Sequence, residues 1–130
     1  MTLHGDGATW RSPRSAWRNI GSRKPIYITE NGVACKDDRF RIVFLAEYLA
    51  AIQEAIRFGA DVRGYLYWSM LDNFEWGSFK PTFGLYGVDF QTFERTAKPS
   101  ASFYREIIGQ NGVNAELIKK YLSEMPSLAR

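Results

Sequence analysis

A long helical pattern between two β-rich runs is the feature that most constrains the fold of this 130-residue chain. Over residues 39–58, aliphatic side chains recur at steps of three and four, which places them on one stripe of a helix. The stripe consists of Ile42, Leu45, Leu49, Ile52 and Ile56. Residues 26–29 (IYIT) and 62–68 (VRGYLYW) are rich in the β-branched and aromatic residues typical of strands. Because parallel strands need a crossover of about a dozen residues or more, this order predicts a parallel βαβ unit.

Local signals predict where these elements begin and end. Asn31 and Gly32 indicate a turn after the first strand. Asp37 or Asp38 can cap the helix, since a carboxylate accepts bonds from free N–H groups and suits the positive end of the helix dipole. Gly59 falls where a left-handed residue commonly follows a helix. The predicted helix therefore begins next to Asp37 or Asp38 and ends before Gly59.

The remainder of the chain predicts one loop, one extended segment and two helices. In chain order these are an aromatic, acidic loop at 69–83, an extended segment at 84–90, a helix from Lys98 to about Ile108 and a short helix at 114–124. Pro99 suits the first turn of its helix, and Gly109 and Gly112 predict the end of that helix. Asn114 is predicted to begin the last helix. Its apolar side would consist of Leu117, Ile118, Tyr121 and Leu122.

The net charge of +3 is concentrated at one end of the chain. Of the 17 basic and 14 acidic residues, five basic residues and one acidic residue fall within 1–24, so the rest of the chain is close to neutral. Residues 1–23 are therefore expected to form an atypical basic leader that is poorly ordered. Nucleic-acid binding through residues 10–24 is an alternative that this pattern disfavours, because a binding face needs basic and aromatic residues on a folded surface.

Composition narrows the remaining classes. Hydrophobic residues make up 45% of the chain, which favours a packed domain over disorder. No apolar run is long enough to cross a membrane, and Cys35 is the only cysteine, which excludes an internal disulfide and a multi-cysteine metal site. We therefore expect no metal, no cofactor and no membrane partner, and a cytoplasmic location.

Polar residues that suit a binding site follow both predicted strands. Glu30 ends the first strand, and the segment 67–76 (YWSMLDNFEW) follows the second. The carboxyl ends of parallel strands lie at one edge of a sheet, where α/β proteins place their sites. Tryptophan faces and carboxylates together suit a sugar, whose C–H side stacks on a ring while its hydroxyls donate hydrogen bonds. The alternative is a helix N-terminus capped by Asp72 or Asn73, with the tryptophans in the core.

Four ordered motifs carry a resemblance to a known family. They are IYITENG at 26–32, YWSMLDNFEW at 67–76, FGLYGVDF at 83–90 and KPSASFYREII at 98–108. Together they resemble the C-terminal part of glycoside hydrolase family 1, the β-glucosidase family, over residues 24–112. The resemblance implies an α/β fold that is part of a (β/α)8 TIM barrel, namely its last two βα units with strands seven and eight. Residues 113–130 would then be a C-terminal extension.

The resemblance also implies a role for individual residues. Glu30 matches the catalytic nucleophile of the family. Trp68 matches a tryptophan under the sugar at the cleavage site, Glu75 the carboxylate that binds outer hydroxyls of the glycone, and Trp76 a tryptophan that hydrogen-bonds the sugar. Phe83 matches an aromatic residue that shapes the same pocket.

One half of the family's chemistry is missing from the sequence. The family carries its acid/base on an Asn-Glu-Pro motif, which does not occur here, and Thr82 stands where the family usually has arginine. We therefore expect a C-terminal fragment of a retaining β-glycosidase that is inactive alone. Its expected partners are a β-glucoside or related sugar, the missing N-terminal part of the barrel, and other copies bound through uncovered strand edges. The alternative is a non-catalytic carbohydrate-binding or interaction remnant that uses Trp68, Glu75 and Trp76.

Overall fold

Residues 24–123 are described by the computed structural model, so the predicted leader at 1–23 lies outside the described residues. In chain order the elements are β1 (Ile26–Asn31), α1 (Asp38–Arg57), β2 (Val62–Tyr67), β3 (Tyr86–Val88), β4 (Arg95–Ala97), α2 (Pro99–Gln110) and α3 (Ala115–Ser123). The strands β1 and β2 pair in parallel, and the 20-residue helix α1 connects them along the chain. The predicted βαβ unit is thus confirmed.

The end of β1 differs from the predicted turn. Asn31 is still part of the strand, and its carbonyl accepts a hydrogen bond from Trp68 N at 2.9 Å. Gly32 then passes so close to the next segment that a Cβ built on it would lie 1.6 Å from the Trp68 carbonyl oxygen. Glycine is therefore needed here because two backbones touch.

Helix α1 follows its predicted stripe closely. Asp37 is the N-cap, and its side chain accepts from Arg39 N at 2.9 Å. Gly59 has φ +90° just after the helix, which confirms the predicted left-handed end. Ile56 was predicted on the buried stripe, but it is 47% exposed. In the last turn the neighbouring Ala55 is the residue that is buried.

Helices α2 and α3 pack against α1 and enclose the core. The core is an apolar cluster formed by Ile42, Leu45, Ala46, Leu85, Phe103, Ile107 and Leu117. Asn114 begins α3 as predicted, because its side chain accepts from Leu117 N at 2.8 Å. The prediction that Gly109 ends α2 is wrong. The helix continues to Gln110, and the left-handed residue that follows is Asn111, with φ 51°.

The segment after the aromatic loop forms a small hairpin. Within the predicted extended segment 84–90, β3 pairs antiparallel with β4, a strand that the sequence analysis did not predict. All three residues of β4 are exposed and the strand has no apolar alternation, so the sequence pattern does not mark it. The hairpin leads the chain back to the start of α2.

The two faces of the β1–β2 pair differ. Ile28, Tyr65 and other residues directed toward the helices are partly buried, whereas Tyr27 and Leu66, which alternate with them, are 58% and 55% exposed. Within residues 24–123, each of these strands also has only one strand neighbour. One face and two edges of this pair are therefore uncovered in the described part of the chain.

A buried arginine connects segments that are distant in sequence. The side chain of Arg41 is fully buried, and its guanidinium donates to Cys35 O at 2.7 Å, to Thr82 O at 2.6 Å and to the Asp38 carboxylate. Asp38 in turn accepts from Ser100 N and Ser100 Oγ, each at 2.7 Å. One side chain thus joins the loop after β1, the aromatic loop and the start of α2.

We predict that Arg41→Met lowers the free energy of unfolding by about 3 kcal/mol or more, because it removes the cationic partner of the largely buried Asp38 carboxylate and one of the donors to each of two carbonyls. Urea denaturation of the full chain measures this change. The control is Arg63→Met, which removes the exposed ion pair with Asp61 and should produce no measurable change. Equal denaturation midpoints for Arg41→Met and the unmodified chain would contradict the prediction.

Candidate functional site

Glu30 lies in an irregular part of its strand. Ile28 is paired with Tyr65 and Asn31 with Tyr67, so three residue steps on β1 match two on β2. The register of the pair is therefore irregular here, and we refer to Thr29 and Glu30 as the bulge of β1; β-bulges often re-aim a side chain beside an active site. The Glu30 side chain is exposed at the carboxyl end of β1. This is the edge at which the sequence predicted a site.

Trp68 lies directly beside that edge and makes two key contacts. Its backbone N–H donates to Asn31 O at 2.9 Å, which fixes Trp68 next to the residue that follows Glu30. Its indole Nε1 donates to Glu75 Oε1 at 2.6 Å. Because the bond is short and its acceptor is a carboxylate, it orients the partly buried Glu75 strongly. The structure therefore brings Glu30, Trp68 and Glu75 to one edge of the sheet.

Trp76 is displayed at the tip of a tight turn. Glu75 and Ser78 exchange backbone hydrogen bonds of 2.8 and 3.0 Å, and the two residues between them, Trp76 and Gly77, have φ values of 54° and 79°. This combination resembles a type I′ turn, which favours asparagine and glycine. A bulky residue at positive φ is strained, and Trp76 is also 71% exposed. Such strain is often found at functional sites.

Phe83 lies inside the protein and is not on the open surface. It is completely buried, and its carbonyl accepts from Tyr67 Oη at 3.0 Å. Ser69, the residue after Trp68, is linked to the same segment, because its carbonyl accepts from Leu85 N at 3.0 Å. Phe83 therefore supports the Trp68 segment from the interior. Its predicted role in shaping a sugar pocket stays a prediction.

The aromatic loop is anchored by a residue that the sequence analysis did not assign to the site. Lys98 Nζ contacts both carboxylate oxygens of Asp72, at 3.0 and 2.9 Å, and also donates to Gly84 O at 2.8 Å. Asp72 Oδ1 additionally accepts from Gly84 N at 2.7 Å. The alternative interpretation of Asp72 or Asn73 as a helix cap is wrong, because no helix occurs between β2 and β3. In the sequence, Lys98 is marked only by its position before Pro99, and no local pattern indicates that its partner is Asp72.

Three further observations concern chemistry that the described residues do not provide. Burial raises the pKa of the Cys35 thiol, which therefore stays protonated near neutral pH and is a poor nucleophile. Among residues 24–123, no three His, Cys, Asp or Glu side chains are grouped closely enough to hold a metal ion. In the same part of the chain, no helix is long and apolar enough to cross a membrane. The carboxyl end of the β1–β2 pair thus carries the exposed Glu30 carboxylate, and the loop after β2 carries the oriented Glu75 carboxylate and the exposed Trp76 indole, residue types that suit a polyhydroxylated ligand.

Comparisons with known proteins identify the family of this chain. The profile of Glycosyl hydrolase family 1 matches residues 17–113. A β-galactosidase of Sulfolobus acidocaldarius is 41% identical over 113 residues, which are 86% of this chain and 22% of that protein. The solved β-glycosidase of Pyrococcus horikoshii is 44% identical with a TM-score of 0.77, over 88% of this chain and 28% of that one.

A second solved structure gives the same result. It is a family 1 β-glucosidase from Thermotoga maritima in complex with isofagomine lactam, 31% identical with a TM-score of 0.73, over 78% of this chain and 26% of that one. The chain therefore spans between about a fifth and a third of these relatives. The profile match and the relatives agree, and this chain belongs to glycosyl hydrolase family 1.

Proposed function

We propose that this chain supplies the last two βα units, with strands seven and eight, of the (β/α)8 barrel of a retaining β-glycosidase, and that Glu30 is its nucleophile. The observation that carries this proposal is the position of Glu30 in a bulge next to the Trp68–Glu75 hydrogen bond. A nucleophile must be accessible to its substrate, and Glu30 is exposed at the sheet edge. Strand β1 would be strand seven and β2 strand eight.

We also propose roles in sugar binding for three neighbouring residues. Glu75 would accept hydrogen bonds from outer hydroxyls of the glycone, in an orientation set by the Trp68 indole. Trp76 would contact the sugar from its exposed turn, and Phe83 would shape the pocket from beneath the Trp68 segment. The Thermotoga maritima relative binds isofagomine lactam, which supports a sugar-like ligand at this edge.

The chain alone lacks a second catalytic group. A retaining glycosidase needs two carboxyl groups about 5–5.5 Å apart, one to attack the anomeric carbon and one to protonate the leaving oxygen. No Asn-Glu-Pro motif occurs in the sequence. Glu75, in the loop after the second strand, already accepts a hydrogen bond from Trp68. We therefore propose that these 130 residues bind the glycone side of a β-glucoside and hydrolyse it only together with the remainder of a barrel.

Activity in combination tests the proposed nucleophile. The full chain is co-expressed with the part of the Pyrococcus horikoshii β-glycosidase that it does not match, and hydrolysis of an aryl β-glucoside is measured. We expect turnover from the combination and none from the chain alone. Glu30→Gln should abolish turnover, while the control Glu94→Gln, an exposed carboxylate of the β3–β4 connection, should leave it unchanged. Undiminished turnover with Glu30→Gln would remove Glu30 from the mechanism.

A substitution at Trp76 should weaken ligand binding without lowering the stability of the chain. Trp76→Asn should bind isofagomine lactam more weakly by calorimetry, yet unfold at the same or a higher urea concentration, because asparagine tolerates positive φ better. The control is Phe93→Asn at a second exposed aromatic residue of positive φ, 60°, which should leave binding unchanged. If the unmodified chain binds this ligand without the rest of a barrel, the non-catalytic alternative based on Trp68, Glu75 and Trp76 gains support. Unchanged binding in Trp76→Asn would contradict the role of Trp76.

The uncovered face of β1 and β2 predicts self-association of the isolated chain. Unpaired strand edges beside exposed Tyr27 and Leu66 favour contact with other copies. Light scattering should therefore give a mass above that of one chain, and Leu66→Lys should reduce it. The control Ile108→Lys, at a position on α2 that is 63% exposed, should have a smaller effect. A monomer at all concentrations would contradict this prediction.

A further inference from the structure

The side chain of Asn31 is held from the neighbouring strand. Asn31 is 6% exposed, and its Oδ1 accepts a hydrogen bond from Tyr65 Oη at 2.8 Å. Its backbone carbonyl accepts from Trp68 N at 2.9 Å. The residue that follows Glu30 is therefore fixed to β2 through both its backbone and its side chain.

These two hydrogen bonds of Asn31 fix the C-terminal end of the bulge that contains Glu30. Thr29 and Glu30 lie between the paired positions Ile28 and Asn31, where β1 has one residue more than β2. The extra residue makes no ladder contact of its own, so its direction depends on how firmly the two ends of the bulge are held. A slip of one residue at Asn31 would turn the Glu30 side chain to the other face of the strand.

We propose that Tyr65 is a positioning residue, whose hydroxyl fixes Asn31 and thereby aims Glu30 toward the Trp68–Glu75 edge. This inference rests on the proposed role of Glu30 as the nucleophile. Tyr65 acts through Asn31, the neighbour of Glu30. It is suited to this task because it packs behind the sheet against the Tyr104 ring of α2, with 6.3 Å between ring centroids.

The Tyr65 hydroxyl keeps its proton over a wide pH range, so its hydrogen bond to Asn31 persists. Burial raises the pKa of Tyr65 well above its ordinary value, and the nearby hydroxyls of Tyr104 and Tyr67 act in the same direction. The phenol therefore remains protonated and able to donate throughout the neutral and mildly alkaline range. The Asn31 side-chain oxygen is in turn committed to this bond.

Tyr67 provides a matched comparison on the same strand. It also faces Tyr104, at 6.2 Å between ring centroids, and burial raises its pKa to about 12. Its hydroxyl donates one hydrogen bond, at 3.0 Å, to the Phe83 carbonyl in the aromatic loop. Tyr65→Phe and Tyr67→Phe thus each remove one largely buried hydroxyl from β2. The second removes the bond to Phe83 O and the interaction with Arg41, and only the first removes the bond to Asn31.

Hydrogen exchange of the full chain tests the attachment without any need for activity. In Tyr65→Phe the Trp68 amide, which donates to Asn31 O, should exchange about tenfold faster relative to the amide of the core residue Leu45, because about one hydrogen bond's worth of local stability is lost. Tyr67→Phe should leave this ratio unchanged. The same ratio in both variants would overturn the proposal.

A double-mutant cycle identifies the partner of the hydroxyl. Asn31→Ala should also accelerate exchange of the Trp68 amide, and adding Tyr65→Phe to Asn31→Ala should produce little further change if the two side chains act as one unit. Independent, multiplying effects would mean that Tyr65 does not act through Asn31, and would overturn the proposal.

Kinetics of the combination with the Pyrococcus horikoshii part connect the attachment to catalysis. Tyr65→Phe should lower kcat about tenfold or more with a smaller change in KM, because a misdirected nucleophile slows the chemical step more than it weakens binding. Tyr67→Phe should lower kcat less. Unchanged kcat in Tyr65→Phe would refute the positioning role while the proposed function stands. If Glu30→Gln keeps full turnover, the proposed function fails, and hydrogen exchange still decides whether Tyr65 fixes Asn31.

Discussion

The buried guanidinium of Arg41 donates to a carbonyl of the loop after β1, to a carbonyl of the aromatic loop and to the Asp38 carboxylate. The same carboxylate accepts a hydrogen bond from Ser100 N at the start of α2. The two carbonyls belong to loops, the carboxylate is that of Asp38 at the start of α1, and a buried carboxylate without its cationic partner is costly. The three segments must therefore meet around this one charge. Arg41 thus helps to hold the loop after β1 against the aromatic loop that contains Glu75.

A second, mostly buried cation, Lys98, fixes the other end of the aromatic loop. Lys98 joins Asp72 to the Gly84 carbonyl, and the pair is mostly buried, with exposed side-chain fractions of 20% and 9%. Arg41 and Lys98 thus hold the aromatic loop at its two ends, near Thr82 and near Asp72. Between these points the Trp76 turn extends outward at positive φ. A strained, exposed turn persists because the segments on both sides are fixed by buried ion pairs and hydrogen bonds.

Sequence patterns predicted the helices and strands whose signals lie within a few neighbouring residues. They did not predict contacts between residues that are distant in sequence. The stripe from Ile42 to Ile52 and the cap at Asp37 depend on neighbours within a turn or two, so α1 was predicted almost to its ends. The end of α2 was misplaced because Asn111 adopted the left-handed conformation that glycine usually takes. The bonds from Tyr65 to Asn31 and from Lys98 to Asp72 join residues 34 and 26 positions apart, and no periodicity marks such pairs. Glu30 was assigned to the site from strand order and family motif, whereas the bulge around it appears only in the pairing register.

The missing acid and the uncovered sheet face have one common cause under the proposed barrel. The interior of a (β/α)8 barrel is filled by layers of side chains from alternate strands, so two strands cannot bury their own inward residues. Tyr27 and Leu66 are accordingly more than half exposed, while the helix-facing side of the same strands is packed. The strands that would cover this face are also those from which the acid/base carboxylate would come. Burial of Tyr27 and Leu66 and completion of the catalytic pair would therefore occur in the same step, so stability and activity should be gained together when a barrel forms around these residues.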